Sequence, residues 1–300
     1  MAPEKPTLGT ICAVTYAVPD LGAIKDAYCG ELGYRVAARE RVREDQARAW
    51  AAPRAAGRNM LVLAPESGEP VFLRFIEAPY ARGWQALKTF GWNATEFVVQ
   101  DVEALARRVG NGHAFKIIGE PRGLTRFPMI RAMQVIGPAG ECCYFTQVGE
   151  GSGLDLAEAR SFVGRVFIVV AAGPDADVLF APYAMFANAH DAPVATPVRV
   201  ISAAHDLPED TLHRHGLVRL SRGTLIELDA YPASATQRAA PEGELLPGMA
   251  MVSFEVEELP AVPFIAASAR AQLPGDACEA ACLRGAAGEW IELVARGESK

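Results

Sequence analysis

An α+β fold built from four similar units is what this 300-residue chain predicts, and three observations lead there. One ending recurs: Gly140-Glu-Cys-Cys-Tyr-Phe and Gly288-Glu-Trp-Ile-Glu-Leu each follow a small-residue turn, Gly137-Pro-Ala and Gly285-Ala-Ala. Phe97-Val-Val-Gln-Asp-Val-Glu-Ala and Phe254-Glu-Val-Glu-Glu-Leu-Pro-Ala correspond about midway through the two halves. Such self-similarity is the signature of repeated supersecondary units. Each unit also reads as a strand, then a helix, then strands in series, which places helices on one side of curved sheets.

In chain order, residues 13–18 alternate and are rich in Val, Thr and Tyr, as a strand requires. Asp20 then caps a helix whose apolar face is Leu21, Ile24, Ala27, Tyr28 and Leu32, and Gly33 ends it. Tyr28 and Tyr34 are core residues of that pattern. Asp101 opens a second helix through Ala104, Leu105 and Val109. The β-rich segments of the first half are 60–64, 71–76, 132–136 and 142–148. Those of the second are 166–170, 198–202, 217–220, 225–228, 251–256 and 290–294. The glycine-rich stretch 149–153 suits a linker, leading into a short helix at Leu154-Asp-Leu-Ala-Glu-Ala. The halves are therefore 1–149 and 150–300, each expected to be a module of two units.

Half of the residues are hydrophobic and 22% are charged, enough apolar material for the cores of about two domains. The 29 basic and 36 acidic residues give a net charge of −7, with no Lys/Arg run, so nucleic acid is not an expected partner. The first residues carry no signal-peptide pattern, and the most apolar run, 166–172, is far short of the roughly 20 residues that span a bilayer. Six cysteines at 12, 29, 142, 143, 278 and 282 lack a second pair at zinc-site spacing. Reduced thiols in a bacterial-type cytoplasm, with no membrane partner, are the expectation. No GxGxxG, P-loop or serine-nucleophile elbow is present.

Val14-Thr-Tyr-Ala-Val-Pro-Asp-Leu followed by Ala27-Tyr-Cys-Gly-Glu-Leu-Gly-Tyr resembles the opening βα segment of the vicinal oxygen chelate superfamily. That group includes glyoxalase I, extradiol dioxygenases and bleomycin-resistance proteins. Glu96-Phe-Val-Val-Gln-Asp-Val-Glu-Ala-Leu is similar to the start of a second βαβββ unit. Gly137-Pro-Ala-Gly-Glu and Gly285-Ala-Ala-Gly-Glu-Trp-Ile-Glu-Leu are similar to the turn and last strand of paired units. The resemblance covers nearly the whole chain, most weakly around 175–210. It implies four βαβββ units forming two modules whose curved mixed sheets enclose pockets. A fold of this kind hosts many chemistries.

Period-2 alternation then sets which side chains face the pockets. Ala13, Thr15 and Ala17 face inward, as do Ala94, Glu96 and Val98, then Arg165, Phe167 and Val169, and finally Met251, Ser253 and Glu255. The resemblance implies metal ligands at the strand openings, which here read Ala13, Ala94, Arg165 and Met251. It also implies them on the last strands, which read Arg74, Tyr144, Glu227 and Glu292. Only two of those eight positions suit a hard cation, so no metal or other cofactor is the expectation, with a divalent ion as the alternative. A one-residue slip would change that set.

Glu227 and Glu292 each interrupt an apolar strand, and a walled-in carboxylate must be paired or neutral. Near each other they would share a proton and serve as a general acid/base. His205, His213 and His215 cluster before a hairpin for which a three-residue Ser221-Arg222-Gly223 loop fits, since a two-residue turn would force Arg222 to positive φ. That register puts His213, His215 and Glu227 on one face, either as a polar cluster with Arg165 and Glu292 or as a solvated hairpin end. In the first half Arg74 and Glu96 either pair across the pocket or leave Arg74 to clamp a substrate carboxylate while Tyr144 donates a proton. Trp290 offers an apolar wall; Trp50, Trp84 and Trp92 have no special role.

The expected function is an enzyme acting by proton transfer, of isomerase or lyase type and metal-independent, on a small apolar oxygenated molecule, aromatic ones included. Glu227 or Glu292 is the expected base, with Arg165 or His215 stabilising an enolate; Trp290, Met251, Ser253, Phe167, Arg74, Glu96 and Tyr144 would bind the substrate. The alternatives are a non-catalytic binding protein of bleomycin-resistance type and a metal-dependent extradiol-type dioxygenase. Monomer and homodimer are both compatible with four units.

Overall fold

The computed structural model describes residues 8–124, 127–149, 154–186, 189–275 and 279–295. Unit one runs β1 (Ile11–Val18), α1 (Leu21–Gly30), β2 (Arg35–Arg41), α2 (Glu44–Ala49), β3 (Asn59–Ala64) and β4 (Phe72–Glu77). Unit two runs β5 (Gly91–Val99), α3 (Val102–Asn111), β6 (Lys116–Gly123), β7 (Ile130–Ile136) and β8 (Cys142–Val148). Unit three runs β9 (Val163–Gly173), α4 (Ala176–Ala184), β10 (Ala189–Pro197), α5 (Arg199–Ala204), β11 (Leu212–Arg219) and β12 (Leu225–Ala230). Unit four is β13 (Gly248–Val256), β14 (Ala269–Arg270), β15 (Glu279–Arg284) and β16 (Trp290–Ala295).

Three of the four units open strand–Asp–helix. Asp20 accepts from the amides of Gly22 and Ala23, Asp101 from Ala104, and Asp175 from Asp177 and Val178. Unit four departs from the expected pattern, because no helix follows β13 among the described residues. Pro260 and Pro263 sit where its interior would be, and each lacks the N–H that a helix needs. Residues 198–202, expected as a strand, are instead the start of α5, with Val200 and Ile201 buried against the second sheet. No helix forms at 154–159. Apart from Gly149, the linker expected at 149–153 lies outside the described residues, as does the Cys278 position.

The strands form two curled eight-stranded sheets. Sheet one has the order β14-β15-β16-β13-β1-β4-β3-β2, and sheet two β10-β11-β12-β9-β5-β8-β7-β6. Units therefore pair one with four, through antiparallel β1 and β13, and two with three, through antiparallel β5 and β9. This corrects the expectation that two units from the same half enclose each pocket. The opening strands lie side by side in each pair, and each sheet takes one unit from each half.

A single large core lies between helices and sheets, holding Val14, Tyr16, Val18, Phe97, Val166, Phe254 and Leu293. Two related tethers cross it. Tyr28 on α1 donates to Glu141 Oε1 at 3.1 Å, and Tyr183 on α4 donates to Glu289 Oε1 at 2.7 Å. The other oxygen of each carboxyl folds back on its own turn, accepting from the Ala139 or Ala287 amide. The recurring Gly-x-x-Gly-Glu thus joins each turn to a helix of another unit. Among the described residues no helix is long and apolar enough to cross a membrane.

Candidate functional site

The concave face of sheet one gathers Thr15, Arg74, Met251, Ser253, Trp290 and Glu292 as the alternation predicts, but it is closed. Arg74 and Glu292 are both fully buried and pair at 2.6 Å. Arg74 also donates through Nε to Thr15 at 2.8 Å and through Nη2 to Ser253 at 3.0 Å. Ser253 in turn donates to Glu292 Oε2 at 2.5 Å. The other carboxylate oxygen accepts from Trp50 Nε1 at 2.7 Å and from Gln46 at 3.4 Å. Both donors come from α2 and the residue after it, a segment that plugs this face. The Trp50 ring also lies 5.0 Å from the Arg74 guanidinium. Trp290 and Met251 pack in the same closed cluster with Ala250 and Cys282.

Glu292 is therefore a structural ion-pair partner, which corrects its reading as a base. Both its oxygens are engaged by donors. Arg74 pairs with Glu292 and not with Glu96, and neither it nor Trp290 faces an open pocket. Trp50, with no special role expected from the sequence, anchors the hub. The Gln46-x-x-x-Trp50 spacing, one helical turn, is the signal that could have flagged both residues.

Sheet two presents a different face. His215 on β11 stands directly opposite Asp229 on β12, and Leu217 opposite Glu227. The three-residue loop sets this register as expected, with the Leu220 amide bonded to the Thr224 carbonyl. Arg222 nevertheless adopts φ 57, alongside Gly223 at φ 65. Its carbonyl accepts from Arg165 Nη2, and the Thr224 hydroxyl donates to the Ser221 carbonyl. Those contacts hold a backbone shape that alternation alone would not select.

Glu227 and His215 are part-open, with side chains 19% and 17% exposed and His215 Nδ1 3.9 Å from Glu227 Oε1. Asp229, two residues along the same face, is 2% exposed, and one of its oxygens has no partner. Burial raises the affinity of Asp229 for a proton, and the adjoining Glu227 charge adds to it. Burial also raises Glu227, with His215 opposing. The close carboxyl pair expected of Glu227 and Glu292 is thus not formed: Glu227 neighbours Asp229, while Glu292 lies in the other sheet. Sequence reasoning missed Asp229; the period-2 step from Glu227 would have found it.

Glu96 on β5 reaches the same face, 7% exposed, accepting a hydrogen bond from the Thr146 hydroxyl. Burial first, then the Glu227 charge, raises its pKa to about 8. Tyr144 and Tyr231 stand close by, their phenols raised by burial and by nearby groups including Asp229 and Glu227. His213 is not a solvated residue. It is buried and bonded to Ser202 of α5 at 2.9 Å.

Two expected site residues lie elsewhere. Arg165 pairs with Glu69 of unit one, Nε to Oε1 at 3.2 Å, and so turns away from Glu227. Phe167 is fully buried beside Val98 and Leu225. Beyond it a bulge where β9 meets β5 shifts the register, so Val169 joins the main core and Val170 packs with Ala94. This corrects the inward placement of Val169.

The metal positions that the resemblance implies do not assemble a ligand set in either sheet. In sheet one they are Ala13, Arg74, Met251 and Glu292, and the Arg74 guanidinium already supplies the cation beside Glu292. In sheet two they are Ala94, Tyr144, Arg165 and Glu227, a single carboxylate with an arginine turned away. Neither set fits the superfamily's metal centre.

No protein-family model and no curated protein matches the chain. Its structure is similar to glyoxalase I from Zea mays, with a TM-score of 0.61 at 15% identity over 95% of this chain and 92% of that one. It is also similar to a protein of Bacillus subtilis subsp. subtilis str. 168 provisionally named a dioxygenase, with a TM-score of 0.60 at 13% identity, covering 96% and 86%. With the four-unit topology, these likenesses show that the chain has the two-module vicinal oxygen chelate fold.

Proposed function

We propose that the protein is a small-molecule enzyme of the glyoxalase/dioxygenase superfamily whose active site is the concave face of sheet two. One observation carries this reading. Glu96, Glu227, Asp229 and His215 converge there, the first and third buried and the other two part-open, and among the described residues no Lys or Arg lies within ion-pairing distance of them. Sheet one holds a comparable carboxylate but neutralises it with Arg74.

The chemistry proposed is proton transfer on a small, largely apolar carbonyl compound. Glu96 accepts one hydrogen bond from Thr146, so one oxygen stays free of donors. It takes a proton from the carbon next to the carbonyl, and the carbonyl oxygen gains the charge. Return of the proton to a neighbouring carbon completes an isomerisation; departure of a leaving group completes an elimination. A carboxyl that titrates near neutral pH suits both directions. In this reading Tyr144 donates to the charged oxygen.

Hydrogen exchange tests this whatever the product turns out to be. Aromatic and aliphatic ketones are incubated with the protein in D2O, and deuterium entry at the acidic carbon is followed by NMR. Exchange that requires wild-type protein and disappears in Glu96→Gln supports the proposal. A compound that binds without exchange identifies a binding protein instead.

A further inference from the structure

We propose that His215, Glu227 and Asp229 form a binding site for one divalent transition-metal ion, in which only Glu227 occupies a position of the superfamily's metal centre while His215 and Asp229 do not. The inference rests on the reading of this concave face as the functional site. Each of the three residues offers a ligand atom, and these atoms all lie within 4.8 Å of one another. Ligands about 2.0–2.2 Å from a shared ion stand at most about 4.4 Å apart, close to this spread.

Two of the three residues carry a buried polar atom with no hydrogen-bond partner. His215 Nε2 is within 3.0 Å of the Thr196 hydroxyl, which fixes the ring, while Nδ1 is buried with no hydrogen-bond partner. A histidine ligand usually has its outer nitrogen held in this way while the inner one meets the metal. Asp229 Oδ1 is likewise buried without a partner, in a side chain only 2% exposed. Two carboxyls set side by side need a proton or a cation between them. An imidazole beside them favours the cation, because its free nitrogen adds a third donor.

The geometry also explains why spacing alone would not reveal the site. His215 and Asp229 meet only because β11 and β12 pair antiparallel through the Ser221–Gly223 loop, and Glu227 joins them by alternation. One nitrogen and two oxygens suit Mn2+, Fe2+ or Zn2+ more than a thiolate-seeking ion.

Full-length protein, stripped with chelator, is dialysed against Mn2+, which avoids the cysteines, and bound metal is measured. One ion per chain is expected. Asp229→Asn and His215→Ala should each weaken binding by tenfold or more, and Thr196→Val by about tenfold through loss of the ring brace. Circular dichroism checks that each variant is folded, and Thr196→Val serves if the others are not. A Co2+ spectrum free of thiolate bands is expected in the wild type. Absence of Mn2+ binding by the wild type, or unchanged affinity in folded His215→Ala or Thr196→Val, would overturn the site. Glu96→Gln should still bind Mn2+. Binding of Mn2+ without any deuterium exchange would keep this inference and discard the proposed reaction.

Discussion

Arg74 and Glu292 meet at 2.6 Å with neither side chain exposed. A buried pair is expensive to desolvate, and here Thr15, Ser253, Trp50 and Gln46 hydrogen-bond to it, leaving only Arg74 Nη1 without a partner. The pair turns the concave face of sheet one into core.

Removing one partner should therefore unfold the protein more readily than removing both. Arg74→Leu is expected to lower stability by about 3–5 kcal/mol, since it leaves a lone buried charge. Arg74→Leu combined with Glu292→Leu should recover part of that loss. Urea denaturation of the two variants checks this, and equal losses would contradict it.

Glu141 makes stability depend on pH. Burial raises its pKa from 4.5 to about 7, while the unfolded chain keeps the lower value. The protonated carboxyl is favoured by the fold, so its contribution is fully present below pH 4.5 and is lost as pH rises through 7. The difference amounts to about 3 kcal/mol. Glu141→Gln should gain on the wild type between pH 5 and pH 8 in denaturation experiments. A constant gap across that range would rule the idea out.

The Ser221–Gly223 loop holds two residues in the left-handed region, where only glycine is comfortable. Arg222→Gly should stabilise the protein by about 0.5–1 kcal/mol, measured by thermal or urea unfolding. Gly223→Ala should do the reverse by at least about 1 kcal/mol. Its added Cβ would fall 2.5 Å from the Ala157 amide nitrogen, a rigid backbone atom.

Glu96→Gln should reduce deuterium exchange by about a hundredfold or more, the usual contribution of a positioned acid/base. Tyr144→Phe should reduce it less, because a neighbouring phenol, Tyr231, remains. Retention of full exchange by Glu96→Gln would move the proton-transfer role to another group.

Much of the architecture was legible in the residues. Alternation placed Thr15, Arg74, Glu96, Met251, Ser253, Glu227 and Glu292 on concave faces, and the loop length set the β11–β12 register correctly. Those signals are local, since side-chain direction follows from the strand repeat. Failures came where a non-local contact or a helix breaker intervened. The β9 bulge displaced Val169, prolines removed the helix of unit four, and the segment from Val198 became helical under tertiary packing.

The amino-acid order by itself determined the four units, most of their strand faces and the fold class, because repeats and period-2 patterning are properties of short stretches of chain. Only the tertiary structure decided that unit one pairs with four and two with three. That pairing separates Glu227 from Glu292, gives Glu292 to Arg74, and leaves Glu227 with Asp229, Glu96 and His215. Which strand edge meets which is settled by burial summed over whole sheets, and no short segment carries that sum.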